Sequence, residues 1–130
     1  MKLALDTNRF VDLCRGETEV VRRLEEAEAI FLPFVVLAEL RAGFAQGRHG
    51  RTNERTLQLF LAKPGVATLF ASDDTTRSYA AIFRQLRHQG TPIPTNDIWI
   101  AAATMDVGGR LLTFDAHFQQ VTGLDIVLLS

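Results

Sequence analysis

Lys2-Leu3-Ala4-Leu5-Asp6-Thr7-Asn8 is a short, mostly apolar run that stops on an acid, and the pattern returns near the other end as Arg110-Leu111-Leu112-Thr113-Phe114-Asp115. Runs this short and apolar suit strands covered on both faces, the environment found in parallel sheets. Ala29–Leu32, Ala67–Ala71 and Ile126–Leu129 read the same way. Helical patterns fill the gaps between them. The alternation predicts an α/β fold built on a mostly parallel sheet of Lys2–Leu5, Ala29–Leu32, Ala67–Ala71, Arg110–Thr113 and Ile126–Leu129.

The helices have recognisable ends. Thr18–Ala27 places Val20, Val21, Leu24 and Ala27 on one stripe. Pro33–Ala45 is apolar almost all round, which predicts a well-buried helix. Gly47, Arg48, His49, Gly50 and Arg51 read as a basic loop before an amphipathic Thr52–Leu61, which Pro64-Gly65 stops. Ser72-Asp73-Asp74-Thr75 offers N-cap chemistry for Thr76–Gln89, and Gly90 closes that helix. Asn96–Val107 follows a stiff Thr91-Pro92-Ile93-Pro94 connector. Asp115–Val121 reads as a short helix closed by Gly123.

The 130 residues make one domain, expected to span the whole chain, with room for a single core. The apolar share of 47% and charged share of 22% are those of an ordinary globular protein. A net charge of −1 supplies no global attraction to nucleic acid, so a polyanionic substrate needs a local basic surface or a metal. Lys2 and Lys63 are the only lysines among 14 basic residues. The arginines suit phosphate recognition, and they equally suit a GC-rich genome. A single cysteine, Cys14, excludes an internal disulfide and reads as a small buried apolar residue. The apolar start is too short for a signal peptide, and no stretch is long enough to span a bilayer, so a cytoplasmic location is the expectation.

Four acids fall where strands hand over to helices: Asp6, Glu39, Asp97 and Asp115. In an open parallel sheet that edge is where sites form. Carboxylates gathered there repel one another unless a cation neutralises them, and a hard oxygen-preferring ion such as Mg²⁺ or Mn²⁺ is the natural one. Each acid also has a plainer reading. Asp6 and Asp115 can cap the helices that follow them, and Asp97 can offset a helix dipole. Glu39 lies about five residues into its helix, roughly 7.5 Å along the axis at ~1.5 Å per residue, with apolar neighbours that suggest partial burial. Its plain reading is an ion pair, with Arg41 one possible partner.

Leu5-Asp6-Thr7-Asn8, Ala38-Glu39-Leu40-Arg41-Ala42-Gly43, and the block from Pro94-Thr95-Asn96-Asp97 through Leu111-Leu112-Thr113-Phe114-Asp115-Ala116-His117-Phe118 to Gly123-Leu124 occur in this order. Together they resemble a PIN domain, and within that family a VapC-type toxin ribonuclease, over nearly the whole chain. The resemblance implies a PIN-like α/β/α sandwich with a five-stranded parallel sheet, and RNA cleavage dependent on Mg²⁺ or Mn²⁺. Asp6, Glu39, Asp97 and Asp115 match the family's acidic quartet, and Thr7, Asn8 and Thr113 its polar support positions. A small antitoxin partner and a homodimer are also implied. Arg9 departs from the family pattern, which often has two apolar residues there. It is either solvated or turned toward the site.

Arg9, Arg77, Arg84 and Arg87 are candidate RNA contacts, as is the group Arg48, His49, Arg51 and Arg55, although a solvated helix face is the better reading for any one residue of the helical and loop groups. Trp99 reads as core or dimer interface. His88 and His117 lack a partner at metal-ligand spacing and read as surface or capping residues. Two other functions fit acids at strand ends. An aspartyl-phosphate phosphatase wants an acid two residues after Asp6, where Asn8 stands, and a receiver domain wants a late lysine, whereas none follows Lys63. A non-catalytic PIN-like RNA-binding module is the third reading.

Overall fold

The computed structural model describes residues 1–129. Its strands are β1 (Lys2–Leu5), β2 (Ala29–Pro33), β3 (Val66–Leu69), β4 (Arg110–Thr113) and β5 (Asp125–Leu128). Its helices are α1 (Thr7–Cys14), α2 (Thr18–Glu25), α3 (Phe34–Gln46), α4 (Gly50–Leu61), α5 (Asp73–Gln89) and α6 (Thr95–Asp106), with a 3₁₀ helix at Ala116–Gln120. All strand pairs are parallel and the order is β3-β2-β1-β4-β5. Alternate residues of a strand point to opposite faces, yet Leu3, Ala4 and Leu5 are all buried, so helices cover both faces and the fold is an α/β/α sandwich.

The strand order fixes where a site can form. From β1 the chain builds outward through β2 and β3 on one side, then returns to lay β4 and β5 on the other. The direction of winding therefore reverses between β1 and β4, whose register sets Leu5 against Leu112. Crossover connections on either side of that point leave a crevice at the strand C-termini. Asp6 follows β1 directly, and Asp115 follows β4 by two residues.

Several elements differ from their sequence readings for identifiable reasons. β3 ends at Leu69 because its partner Pro33 is the last residue of β2, so Phe70 and Ala71 have no ladder to join. Phe70 is left 74% exposed. α4 begins at Gly50, inside the expected loop, with its backbone tight against α3. A Cβ there would lie 2.8 Å from the carbonyl oxygen of Phe44, so only glycine fits. α3 is not buried all round. Val35, Val36, Leu37 and Leu40 face the core, whereas Ala38, Glu39, Arg41, Ala42, Gly43 and Ala45 are exposed. Much of its apolar character comes from small residues that gain little from burial. Cys14 is exposed rather than buried.

The ends of α5 follow the expected chemistry. The Ser72 and Thr75 side chains bond reciprocally to each other's backbone N–H groups, and Gly90 closes the helix with φ 72°. Leu5, 0% exposed in the central strand, sits beside Leu112 at the switch point. Leu5→Ala is expected to cost about 2–5 kcal/mol, measured as a lower urea midpoint with unchanged slope.

Candidate active site

Asp6 has an extended backbone and caps α1: its Oδ1 accepts the Arg9 N–H at 3.0 Å. Its Oδ2 accepts the Thr113 hydroxyl at 2.7 Å. Thr113 Oγ1 in turn accepts the Asp115 N–H at 3.0 Å. A single buried hydroxyl thus joins the end of β1 to the end of β4 and fixes the backbone that carries Asp115. The plain reading of Asp6 as a cap is correct, and the same side chain lies at the switch-point crevice.

Glu39 is exposed, not partly buried, and accepts the Thr7 hydroxyl at 2.7 Å. Arg41 is not its partner. Two residues further round the helix, it points away and forms a two-point pair with Glu54 at 2.9 and 3.1 Å. Among the described residues no Lys, Arg or His pairs with Glu39 or Asp115. Asn8 lies exposed in the first turn of α1.

The four carboxylates feel one another. Burial pushes the Asp6 carboxyl above its ordinary value; bonds from Thr113 and Arg9 and the Arg9 charge oppose this, and Asp115 adds to it. Asp97 is also raised, first by burial, with His117 opposing and the charges of Glu39 and Asp115 contributing. Buried carboxylates with like charges nearby favour a positive charge beside them. Every acidic donor is a carboxylate oxygen, the donor type that Mg²⁺ and Mn²⁺ prefer, so the residues present fit such an ion. As placed, however, no three Asp, Glu, His or Cys side chains among the described residues stand close enough together to hold a metal ion, so the fit is one of donor chemistry.

His117 was not legible as a member of this group. Its Nε2 lies 2.9 Å from Asp97 Oδ2, across twenty positions of sequence. Phe118, fully buried, anchors the 3₁₀ helix and so directs the neighbouring imidazole. The only local hint is a histidine two residues past a strand-end acid. Arg9 is turned inward, 7% exposed. Its Nε sits 2.9 Å from Asp12 and 4.0 Å from Asp6, without an aligned hydrogen bond, and its guanidinium lies 3.9 Å from the Phe114 ring centre. A direct phosphate contact by Arg9 would require that side chain to move. Arg77, Arg84 and Arg87 are exposed on α5. Arg77 pairs with Asp73 and Asp74, and Arg87 lies over Phe83, so none of these contacts reaches the acids. Trp99 is half-buried in an aromatic group with Phe34 and Tyr79.

An α/β/α sheet with a carboxylate group at its switch point defines a class, and comparison with known proteins agrees. The chain belongs to the PIN domain family, whose model matches residues 3–124. Its relatives there include Ribonuclease VapC5 of Mycobacterium tuberculosis, 30% identical over 122 residues, covering 92% of this chain and 87% of that one. Ribonuclease VapC1 of Haemophilus influenzae is 26% identical over 125 residues, 92% of each chain. The structure of VapBC-1 from nontypeable Haemophilus influenzae superposes with a TM-score of 0.87 at 25% identity over 98% of both chains. VapBC2 from Rickettsia felis, bound to a DNA fragment from its promoter, shares the fold with a TM-score of 0.88 at 24% identity over the full length of both.

Two outcomes follow from this geometry. Thr113, fully buried, leaves Asp6 Oδ2 without its donor when replaced by valine; Thr113→Val is expected to cost about 1–3 kcal/mol, read from urea unfolding. The raised carboxyls of Asp6 and Asp97 mean that the folded, metal-free protein binds protons more tightly than the unfolded chain. Their contribution to stability therefore falls as pH rises from the ordinary carboxylate range through the higher folded values. Asp97→Asn removes one of these groups. Its Tm relative to wild type, measured in chelator, is expected to improve as pH rises through that window; a constant difference would contradict the raised Asp97 carboxyl.

Proposed function

We propose that this chain is a Mg²⁺- or Mn²⁺-dependent endoribonuclease, the toxin of a toxin–antitoxin pair, with Asp6, Glu39, Asp97 and Asp115 as its metal-holding and catalytic carboxylates. The observation that carries the reading is the placement of Asp6 and Asp115 at the sheet's switch point, joined through the Thr113 hydroxyl. The names of the relatives supply the substrate class: they are ribonucleases.

Bound divalent metal would neutralise the carboxylates, lower the pKa of a water and stabilise charge on the phosphate under attack. The chain's own residues do the positioning. Thr113 holds Asp6 by one oxygen and the Asp115 backbone by the same hydroxyl, so both acids enter from one rigid strand junction. Thr7 holds Glu39 in place from α1. His117 holds one oxygen of Asp97 and leaves the other free. Preorganised oxygens of this kind need no reorganisation when charge develops. The water oxygen bonds to phosphorus, its proton passes to solvent or a carboxylate, and the bond to the leaving sugar oxygen breaks with protonation of that oxygen.

A small antitoxin protein and a second copy of the chain are the proposed partners; solved relatives are VapBC complexes. A phosphoryl-accepting role for Asp6 fits poorly, because Asn8 stands two residues on where a second acid would be needed and no lysine follows Lys63. No helix among the described residues is long and apolar enough to cross a membrane.

The test is cleavage of a labelled RNA pool by the purified chain with Mg²⁺ or Mn²⁺, against chelator and Asp97→Asn. Metal-dependent cutting that falls at least a hundredfold in the variant, with its fold intact by circular dichroism, is the expected result. Undiminished cutting in chelator or in the variant would refute the reading. Tight RNA binding without cutting under either ion would favour the binding-module alternative.

A further inference from the structure

Phe114 stands at the rim of the carboxylate group. It lies between Thr113, which bonds to Asp6, and Asp115, whose N–H bonds back to Thr113, so the contacts that fix the site also fix this residue's backbone. The Arg9 guanidinium covers one face of its ring at 3.9 Å from the centre, while Phe114 remains 41% exposed. A lone exposed phenylalanine is ordinary on a protein surface. This one is unusual in its support: the cation backing it is itself 7% exposed and packed among Asp6 and Asp12. The ring is held against a buried floor and left open above, next to the acids.

We propose that Phe114 is a stacking platform for one unpaired RNA base beside the bond that is cut, and thus a specificity-determining residue; this rests on the ribonuclease reading above. A base offers a π face whatever its identity, so an aromatic ring binds single strands with little sequence demand. A ring already immobilised by Arg9 loses little side-chain freedom when a base covers it. Stacking on the residue next to Asp115 brings the phosphate attached to that nucleotide toward the carboxylates, which is an orientation effect. Bases in a duplex are already stacked on their neighbours, so the platform selects loops and single strands over helical RNA.

The experiment uses short single-stranded oligoribonucleotides in which one abasic position is moved along the chain. Their binding to the full-length Asp97→Asn protein, which prevents cutting, is measured by fluorescence anisotropy with Mn²⁺ present. With Phe114 intact, one abasic position is expected to weaken binding roughly five- to a hundredfold. With Phe114→Leu added, that position no longer matters; with Phe114→Trp it still does. Phe83→Leu, a change at a 39% exposed aromatic on α5, leaves the pattern unchanged. A flat profile with Phe114 present, or the same dip with Phe114→Leu, overturns the platform, and the first of these needs no variant at position 114 to fold. Wild-type cleavage run alongside separates the two claims. Cutting with a flat profile removes the platform alone, whereas no cutting with either ion removes the ribonuclease reading and the platform with it.

Discussion

The hydrogen bond from Thr113 to Asp6 is the contact on which the rest depends. It closes the seam between the two directions in which the sheet is wound, and both of its ends are buried. A carboxylate that is 5% exposed is unfavourable unless its oxygens are satisfied, and here one oxygen is answered by a hydroxyl and the other by a helix N-terminus. Capping, strand pairing and placement of a charged group are therefore a single arrangement. The same hydroxyl receives the Asp115 N–H, so the first and last of the four acids are positioned through one atom.

Around that seam the protein holds negative charge that its fold does not itself neutralise. Among the described residues Arg9 is the only basic side chain paired with Asp6, and it is divided between Asp6, Asp12 and Phe114. His117 meets Asp97, while Glu39 and Asp115 have no basic partner among the described residues. Elsewhere the chain pairs its charges readily, as Arg41 with Glu54 and Arg22 with Glu19 and Glu26 show. Surface acids such as Glu17, Glu25 and Asp125 also lack ion pairs among the described residues, so it is the gathering of acids at the switch point that makes the crevice the candidate site. A net charge near zero conceals it, because the imbalance is local.

The sheet, its parallel sense and the handover positions of the acids were legible because each is a local pattern: a short apolar run, an acid at its end, a cap or a glycine at a helix terminus. What escaped was set by contacts between distant parts of the chain. The inward turn of Arg9 depends on Phe114, more than a hundred positions away, and the attachment of His117 depends on Asp97 on another helix. The exposed face of α3 could not be told from its composition, since alanine and glycine count as apolar whether or not anything covers them. β3 stopped early because its neighbour turned into a helix, which is a property of the pair and not of either strand. The acids were individually ambiguous; their mutual repulsion is visible only once the strands are ordered.

The double duty of Asp6 bears on how loss of activity in this protein should be interpreted genetically. Removing its side chain uncaps α1 and withdraws the acceptor from Thr113 at the same stroke. Shortage of folded protein and loss of chemistry then look identical in a living cell. Asp97 and Glu39 have no such role in the fold: neither caps a helix, and each meets only one polar side chain. An allele at Asp6 reports on the molecule's survival, while an allele at Asp97 or Glu39 tests the proposed chemistry without that second effect.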